Sequence, residues 1–219
     1  MSSIKNIENF YFVGIGGIGM SALARYFNLQ GKKVFGYDKT PSEITNKLIS
    51  EGITIQYKDD VSLIPEIIQE NENTLIVCTP AIPKHNKILI WLNAKQYTIT
   101  KRSELLGEIS KNSICLAVAG THGKTTTSAI LGHLLASCNM PVTAFLGGVT
   151  ENYNSNLIYK GSEIMVVEAD EFDRSFLHLK PNIACITSMD ADHLDIYGTG
   201  EELHKSFRKF AGKIKEGGK

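Results

Sequence analysis

Cysteine is sparse and scattered. The four residues, Cys78, Cys115, Cys138 and Cys185, form no C-x-x-C pair, and three of them sit within apolar, strand-like or helical runs. Neither a disulfide framework nor a zinc site is expected. Charge of one sign is also lacking: 23 basic residues balance 23 acidic ones. The chain therefore has no general attraction for nucleic acid or anionic lipid, and any anionic ligand must be held by local geometry. No apolar run approaches the ~18 residues that a membrane span needs. The opening MSSIKNIENF lacks the apolar core of a signal peptide. The expectation is a cytoplasmic protein without membrane insertion and without a nucleic-acid partner. Repeats of fixed period and low-complexity segments are missing too.

What is present is enough chain, 219 residues with 42% hydrophobic, for about two domains, each with its own core. Short β-branched and aromatic runs alternate with helix-length segments. Phe10 to Val13, Lys33 to Tyr37, Ile53 to Gln56, Thr74 to Cys78 and Tyr97 to Thr100 read as strands. This alternation predicts βαβ units and a parallel sheet. Between the first two strands, Ile18 to Gln30 gathers Ile18, Leu23, Tyr26 and Phe27 largely on one helical face, and Gly31 stands at the expected stop. Pro41 and Ser42 mark the start of a second helix. After a helix at Arg102 to Ser110 the pattern begins again, which places a boundary near Lys111. The second unit has a strand at Ile114 to Ala119, a helix from Lys124 to about Cys138, strands near Val142 to Phe145, Ile164 to Glu168 and Ile183 to Thr187, and a helix over Glu201 to Ile214.

The segment AGTHGKTTT, Ala119 to Thr127, lies between a strand and a helix. In that setting Gly120 and Gly123 let backbone N–H groups converge on phosphate oxygens. The helix N-terminus adds partial positive charge, and Lys124 adds a full one. Thr125 offers a hydroxyl to Mg²⁺, and Thr121, His122 and Thr126 complete the loop. The spacing is G-x-x-G-K-T, two residues tighter than the usual phosphate loop. A plain glycine turn with a solvated Lys124 is the competing reading. For His122 the choice between phosphate contact and solvent stays open.

MVVEADEFD, Met165 to Asp173, sets Glu168, Asp170, Glu171 and Asp173 at the C-terminal end of an apolar strand, the edge where open α/β sheets bind ligands. Hard carboxylate oxygens there suit Mg²⁺, which usually takes one or two carboxylates beside substrate phosphates; a solvated acidic turn fits equally. A further strand ends in MDADHLD and brings His193 to the same edge, between Asp192 and Asp195. Imidazole is an unusual Mg²⁺ ligand, so chemistry alone favours a general base or a surface group. His85, His133, His178 and His204 stand singly and read as structural or surface groups.

YFVGIGGIGMSALA, Tyr11 to Ala24, carries Gly14, Gly16 and Gly19 in G-x-G-x-x-G order between strand and helix, and Asp38 ends the next strand. This is the dinucleotide fingerprint: a tight turn, close backbone approach to a diphosphate, and an acid placed for ribose hydroxyls. It suits NAD as readily as another diphosphate, and a ligand-free βα turn also fits. Gly17 thins the side-chain cover over the loop further.

Taken together, GIGGIGMSALA (Gly14 to Ala24), TPAI (Thr79 to Ile82), RSELL (Arg102 to Leu106), AGTHGKTTT, VEADEFDRSFLHL (Val167 to Leu179) and DADHLDIY (Asp190 to Tyr197) resemble, in order and over nearly the whole chain, the amino-terminal half of the Mur ligase family of peptidoglycan synthesis. Within the family they are most similar to the branch that adds L-alanine to UDP-N-acetylmuramate. The recycling branch, which attaches murein tripeptide, shares AGTHGKTTT and EADE but differs in its glycine loop and D-H segment.

The resemblance implies an α/β architecture: a Rossmann-like parallel-sheet domain over residues 1–111, then part of a P-loop ATPase domain over residues 112–219. The first domain would hold the UDP part of UDP-N-acetylmuramate rather than NAD, with Gly14, Gly16, Gly17, Ile18, Gly19, Asp38, Thr79, Ala81 and Arg102 around it. The second would hold ATP at Gly120 to Thr126, with Lys124 at the γ-phosphate. Thr125 and Glu168 would face one Mg²⁺ and His193 a second, and Lys124, Glu168 and His193 would be the catalytic set. Many members also use a carbamylated lysine; no lysine aligns with it here, where Arg208 falls near the place and Lys205 and Lys209 are neighbours, and the L-alanine branch is similar in lacking it. Members are three-domain proteins about twice as long, so the resemblance implies a catalytically incomplete fragment without the amino-acid-binding domain. Two other classes stay in play: an NAD-dependent oxidoreductase, which leaves AGTHGKTTT without purpose, and a non-catalytic nucleotide sensor.

Overall fold

The structure, a computed structural model, describes residues 4–70, 73–190 and 197–219. The chain divides into two compact units, Met1–Leu105 and Leu106–Lys219.

The first unit runs β1 (Asn9–Val13), α1 (Ile18–Leu29), β2 (Lys33–Tyr37), α2 (Glu43–Ser50), β3 (Thr54–Gln56), α3 (Glu66–Gln69), β4 (Thr74–Cys78), α4 (Lys87–Ala94) and β5 (Ile99–Lys101). Its sheet has the order β3-β2-β1-β4-β5, and every pair is parallel. NFYFV takes the centre because it is apolar on both faces: Phe10, Tyr11, Phe12 and Val13 are fully buried, as a strand covered on both sides must be. On one face Phe10 stacks on Phe27 of α1, with ring centroids 3.8 Å apart. On the other, Tyr11 and Val13 join Ile68 of α3 and Ile88 and Leu92 of α4. The predicted start of α2 is a capping box, in which Ser42 and Thr45 each satisfy the other's backbone N–H. Successive strands run outward from β1 to β3, then the chain returns to place β4 on the other side of β1. The C-terminal ends of β1 and β4 therefore border the crevice where open α/β sheets take ligands.

The helix α5 (Arg102–Ser110) spans the point where the units part. Gly107 is packed against the His178 carbonyl, where a β-carbon would stand 2.6 Å away, so the end of this helix belongs to the second unit. That unit continues with β6 (Ile114–Ala119), α6 (Lys124–Ser137), β7 (Val142–Thr150), β8 (Ser155–Tyr159), β9 (Ile164–Glu168), a 3₁₀ turn at Phe172–His178, β10 (Ile183–Ile186) and α7 (Gly200–Ala211). The order is β10-β6-β9-β7-β8.

This second sheet is mixed, because β8 pairs antiparallel with β7. The connection explains it: Glu151–Asn154 is a tight turn in which Tyr153 N–H donates to Thr150 O and Asn154 takes a φ of 46°. So short a link makes only an antiparallel hairpin, since a parallel crossover needs about a dozen residues. The Ile183 strand and the last helix both end short of their expected limits, at Ile186 and Ala211. Phe176 fixes α7 against the 3₁₀ turn by stacking on Phe210 at 4.9 Å and meeting Phe207 edge-on at 5.5 Å.

Candidate active site

In the first unit the sequence-predicted residues collect past the carboxyl ends of the strands. Gly14 to Gly19 follow β1, Asp38 follows β2, Thr79 and Ala81 follow β4, and Arg102 follows β5. Gly14 has a φ of +89°, and a β-carbon on it would lie 2.6 Å from Thr79 Cγ2. Only glycine lets the two turns meet there. Gly16 N–H donates to Asp38 Oδ2 at 2.7 Å, and Asp38 Oδ1 accepts from Thr40 N–H at 3.2 Å. The carboxylate expected to await ribose hydroxyls thus also organises the glycine loop. Gly17 caps α1 without a side-chain bond, Ile18 opens the helix, and the Arg102 guanidinium fills the space beside Gly19. Thr79 to Ile82 form a turn closed by Ile82 N–H to Thr79 O at 3.3 Å, with Ala81 exposed.

In the second unit the loop after β6 turns into α6 through Gly123, which has a φ of 79° and offers no side-chain cap. The side chains of Lys124 and Thr125 leave the first turn of α6 in two directions. Lys124 Nζ donates to Gly120 O and, at 2.9 Å, to Glu171 Oε1. Thr125 Oγ1 donates to Glu168 Oε1 at 2.9 Å, while Glu168 Oε2 accepts from Gly147 N–H at 2.7 Å. Thr126 is exposed on the same turn.

The loop backbone differs from the expected cradle. Thr121 N–H donates to Ser188 O at 3.1 Å and His122 N–H donates to Ser188 Oγ at 2.9 Å. Two of the N–H groups expected to converge on phosphate are therefore engaged by the end of β10, since Ser188 offers the nearer oxygens. Thr187 Oγ1 has a single proton, which lies between the carbonyls of His122, the nearer, and Ala119, and Thr121 Oγ1 bonds Ser188 Oγ at 2.9 Å. The exposed His122 ring lies 3.8 Å from Asp190, a solvated contact.

Three carboxylates of the acidic run take separate fates. Glu168 faces Thr125, Asp170 caps the 3₁₀ turn through Phe172 N–H at 3.0 Å, and Glu171 is buried against Lys124. Glu171 is held from behind as well, because Tyr197 Oη donates to its carbonyl at 2.6 Å. Burial above all raises the Tyr197 phenol beyond its ordinary range, which keeps that proton in place. His193, with Asp192 and Asp195, lies outside the described residues. His133 bonds Tyr153 Oη at 3.0 Å and His204 the Met189 carbonyl at 2.8 Å, so both are surface structural groups.

Sequence reasoning did not single out Glu171, Thr187 or Ser188. Glu171 was visible only as one of several acids, and the two hydroxyls carried no motif signal of their own. Oxygen donors at the Thr125–Glu168 pair fit Mg²⁺, a hard cation that also takes phosphate oxygens.

Comparison with known proteins gives the family. Residues 9–113 match the pattern described as Mur ligase family, catalytic domain, and residues 118–219 match the Mur ligase middle domain. The UDP-N-acetylmuramate–L-alanine ligase of Christiangramia forsetii is 60% identical over 220 residues, covering 100% of this chain and 49% of the relative. That of Flavobacterium psychrophilum is 58% identical, covering 98% of this chain and 48% of the relative. The crystal structure of UDP-N-acetylmuramate-alanine ligase from Thermotoga maritima superposes with a TM-score of 0.83 at 31% identity, over 94% of this chain and 47% of that one. The chain spans about half the length of the curated relatives it matches. With both matched regions in family order and each glycine loop at the carboxyl edge of its own sheet, the chain belongs to the Mur ligase family.

Proposed function

We propose that the two units are the nucleotide-sugar and ATP parts of an enzyme that joins L-alanine to the lactyl carboxylate of UDP-N-acetylmuramate in the cytoplasm. A carboxylate is a poor acyl donor because its leaving group would be oxide. Transfer of the ATP γ-phosphoryl to a carboxylate oxygen releases ADP and makes an acyl phosphate. The L-alanine amine then attacks the carbonyl carbon, phosphate leaves, and the amine sheds a proton.

Both reactants of the first step are anions, so the site has to neutralise their repulsion. Lys124 is suited to this: its ammonium has three N–H donors, Gly120 O and Glu171 Oε1 take two, and the third serves the γ-phosphate. The first-turn N–H groups of α6 add partial positive charge. Thr125 and Glu168 would hold a Mg²⁺, which supplies charge neutralisation and Lewis acidity at the phosphates. The family resemblance adds a second Mg²⁺ toward His193. In the first unit, Gly14, Gly16, Gly17, Ile18, Gly19 and Asp38 would receive the UDP diphosphate and ribose, with Thr79, Ala81 and Arg102 at the edge of the same crevice.

The observation that carries this reading is the Thr125–Glu168 contact of 2.9 Å directly beside Lys124. An oxidoreductase using only the first glycine loop leaves that pair without purpose. Calorimetric titration tests the choice. The expected result is binding of UDP-N-acetylmuramate and of Mg-ATP but not of NAD, with ATP affinity lost in Lys124→Ala and its Mg²⁺ dependence lost in Glu168→Gln. NAD binding, or ATP binding indifferent to both substitutions, would refute it.

A further inference from the structure

The hydroxyls at the end of β10 are built into the β6–α6 loop more thoroughly than a neighbouring strand requires. Pairing between β10 and β6 already aligns Ile186 with Ala119, and Thr187 N–H extends it by donating to Ala119 O at 2.9 Å. Beyond that point the contacts are made by side chains. Thr187 Oγ1 reaches the carbonyls at both ends of the Ala119–His122 turn. Ser188 engages the turn's interior, taking Thr121 N–H on its carbonyl and His122 N–H on its hydroxyl. Asp190 N–H then closes on Thr121 Oγ1 at 3.1 Å. Gly120 is the steric counterpart: its φ is +132°, and a β-carbon there would stand 2.2 Å from Thr187 Oγ1.

We infer that Thr187 and Ser188 are positioning residues for the nucleotide phosphates. With Thr121 N–H and His122 N–H withdrawn into the β10 clamp, the phosphates are left to the α6 end of the loop: the backbone from Gly123 onward, Lys124 and Thr125. The clamp fixes where that end points, so a rigid loop meets the ligand without first being ordered by it. A loop this short has few backbone donors, and spending two of them on the scaffold trades donor number for a fixed geometry. The inference rests on the ATP reading of the loop given above.

The test is titration of the full 219-residue chain with Mg-ATP, comparing wild type with Thr187→Val, Thr187→Ser and Ser188→Ala. Valine keeps the shape of threonine and removes the shared hydroxyl proton, whereas serine keeps the hydroxyl. The expected result is affinity about tenfold weaker in Thr187→Val and in Ser188→Ala, near wild-type affinity in Thr187→Ser, and unchanged affinity for UDP-N-acetylmuramate in all three. Rescue by serine separates positioning from bulk packing. Should Thr187→Val fail to fold, Ser188→Ala decides alone. Equal or tighter Mg-ATP binding by the folded Val and Ala variants overturns the inference and leaves the ATP reading standing. A wild-type chain that binds no Mg-ATP overturns both.

Discussion

The Lys124 ammonium and the Glu171 carboxylate form an ion pair of 2.9 Å in which the glutamate side chain has no exposure and the lysine side chain 14%. The Lys124 cation at the start of α6 is thus anchored in the protein interior by a residue of the loop after β9. A buried pair of this kind is costly to break from one side, because the remaining charge stays desolvated.

Glu171→Leu should accordingly lower unfolding stability by about 3 to 5 kcal/mol, as should Lys124→Met to a comparable extent. The double variant, apolar at both positions, should regain most of that loss while binding no Mg-ATP. Urea unfolding of the four proteins is the measurement. A double variant as unstable as the sum of the singles would show that the two residues contribute independently, with no coupling between them.

Asp38 accepts the Gly16 N–H at 2.7 Å, and a hydrogen bond to a charged acceptor contributes about 1.5 to 3 kcal/mol. Removing the acceptor frees the glycine loop. Asp38→Ala should weaken UDP-N-acetylmuramate binding at least about tenfold, and Asp38→Asn, which keeps an oxygen in place, should weaken it less. Equal affinity in Asp38→Ala and wild type would remove Asp38 from the nucleotide-sugar site.

Burial pushes the Cys115 thiol from the ordinary 9.0 up to about 11. The folded value lies above the unfolded one, so the resulting stability is fully present below pH 9 and is lost as pH rises through 11. The unfolded chain ionises first and is favoured by it. The size is about 2 to 3 kcal/mol. Unfolding free energies at pH 8 and pH 11 should therefore fall further for wild type than for Cys115→Ala. Parallel losses in the two proteins would contradict the assignment.

The first sheet was legible because each strand carries its own signal. Phe10 to Val13 of β1 are apolar throughout, KVFGY and TLIVC are rich in β-branched or aromatic residues, and glycine or polar residues punctuate them. The strand β8 was not, since SNLIY follows a turn without a Gly pair and its pairing depends on where β7 ends. Gly14, Asp38, Lys124, Thr125 and Glu168 stand out in the sequence because the chemistry they suggest is tied to local spacing. Glu171 differs from Asp170 only through long-range packing, with α6 in front of it and Tyr197 behind. Ser188 is one polar residue after a strand, and nothing nearby in sequence announces that its partners are Thr121 and His122.

The clamp on the β6–α6 loop joins residues 65 positions apart in the chain, Thr187 and His122. During synthesis AGTHGKTTT emerges long before the segment that gives it shape, so the loop's native form has to wait for β10 to dock beside β6. Nucleotide affinity is then a late reporter of folding: a nascent chain ending before Ile183 would contain every motif residue of the loop and still lack the wall that holds it.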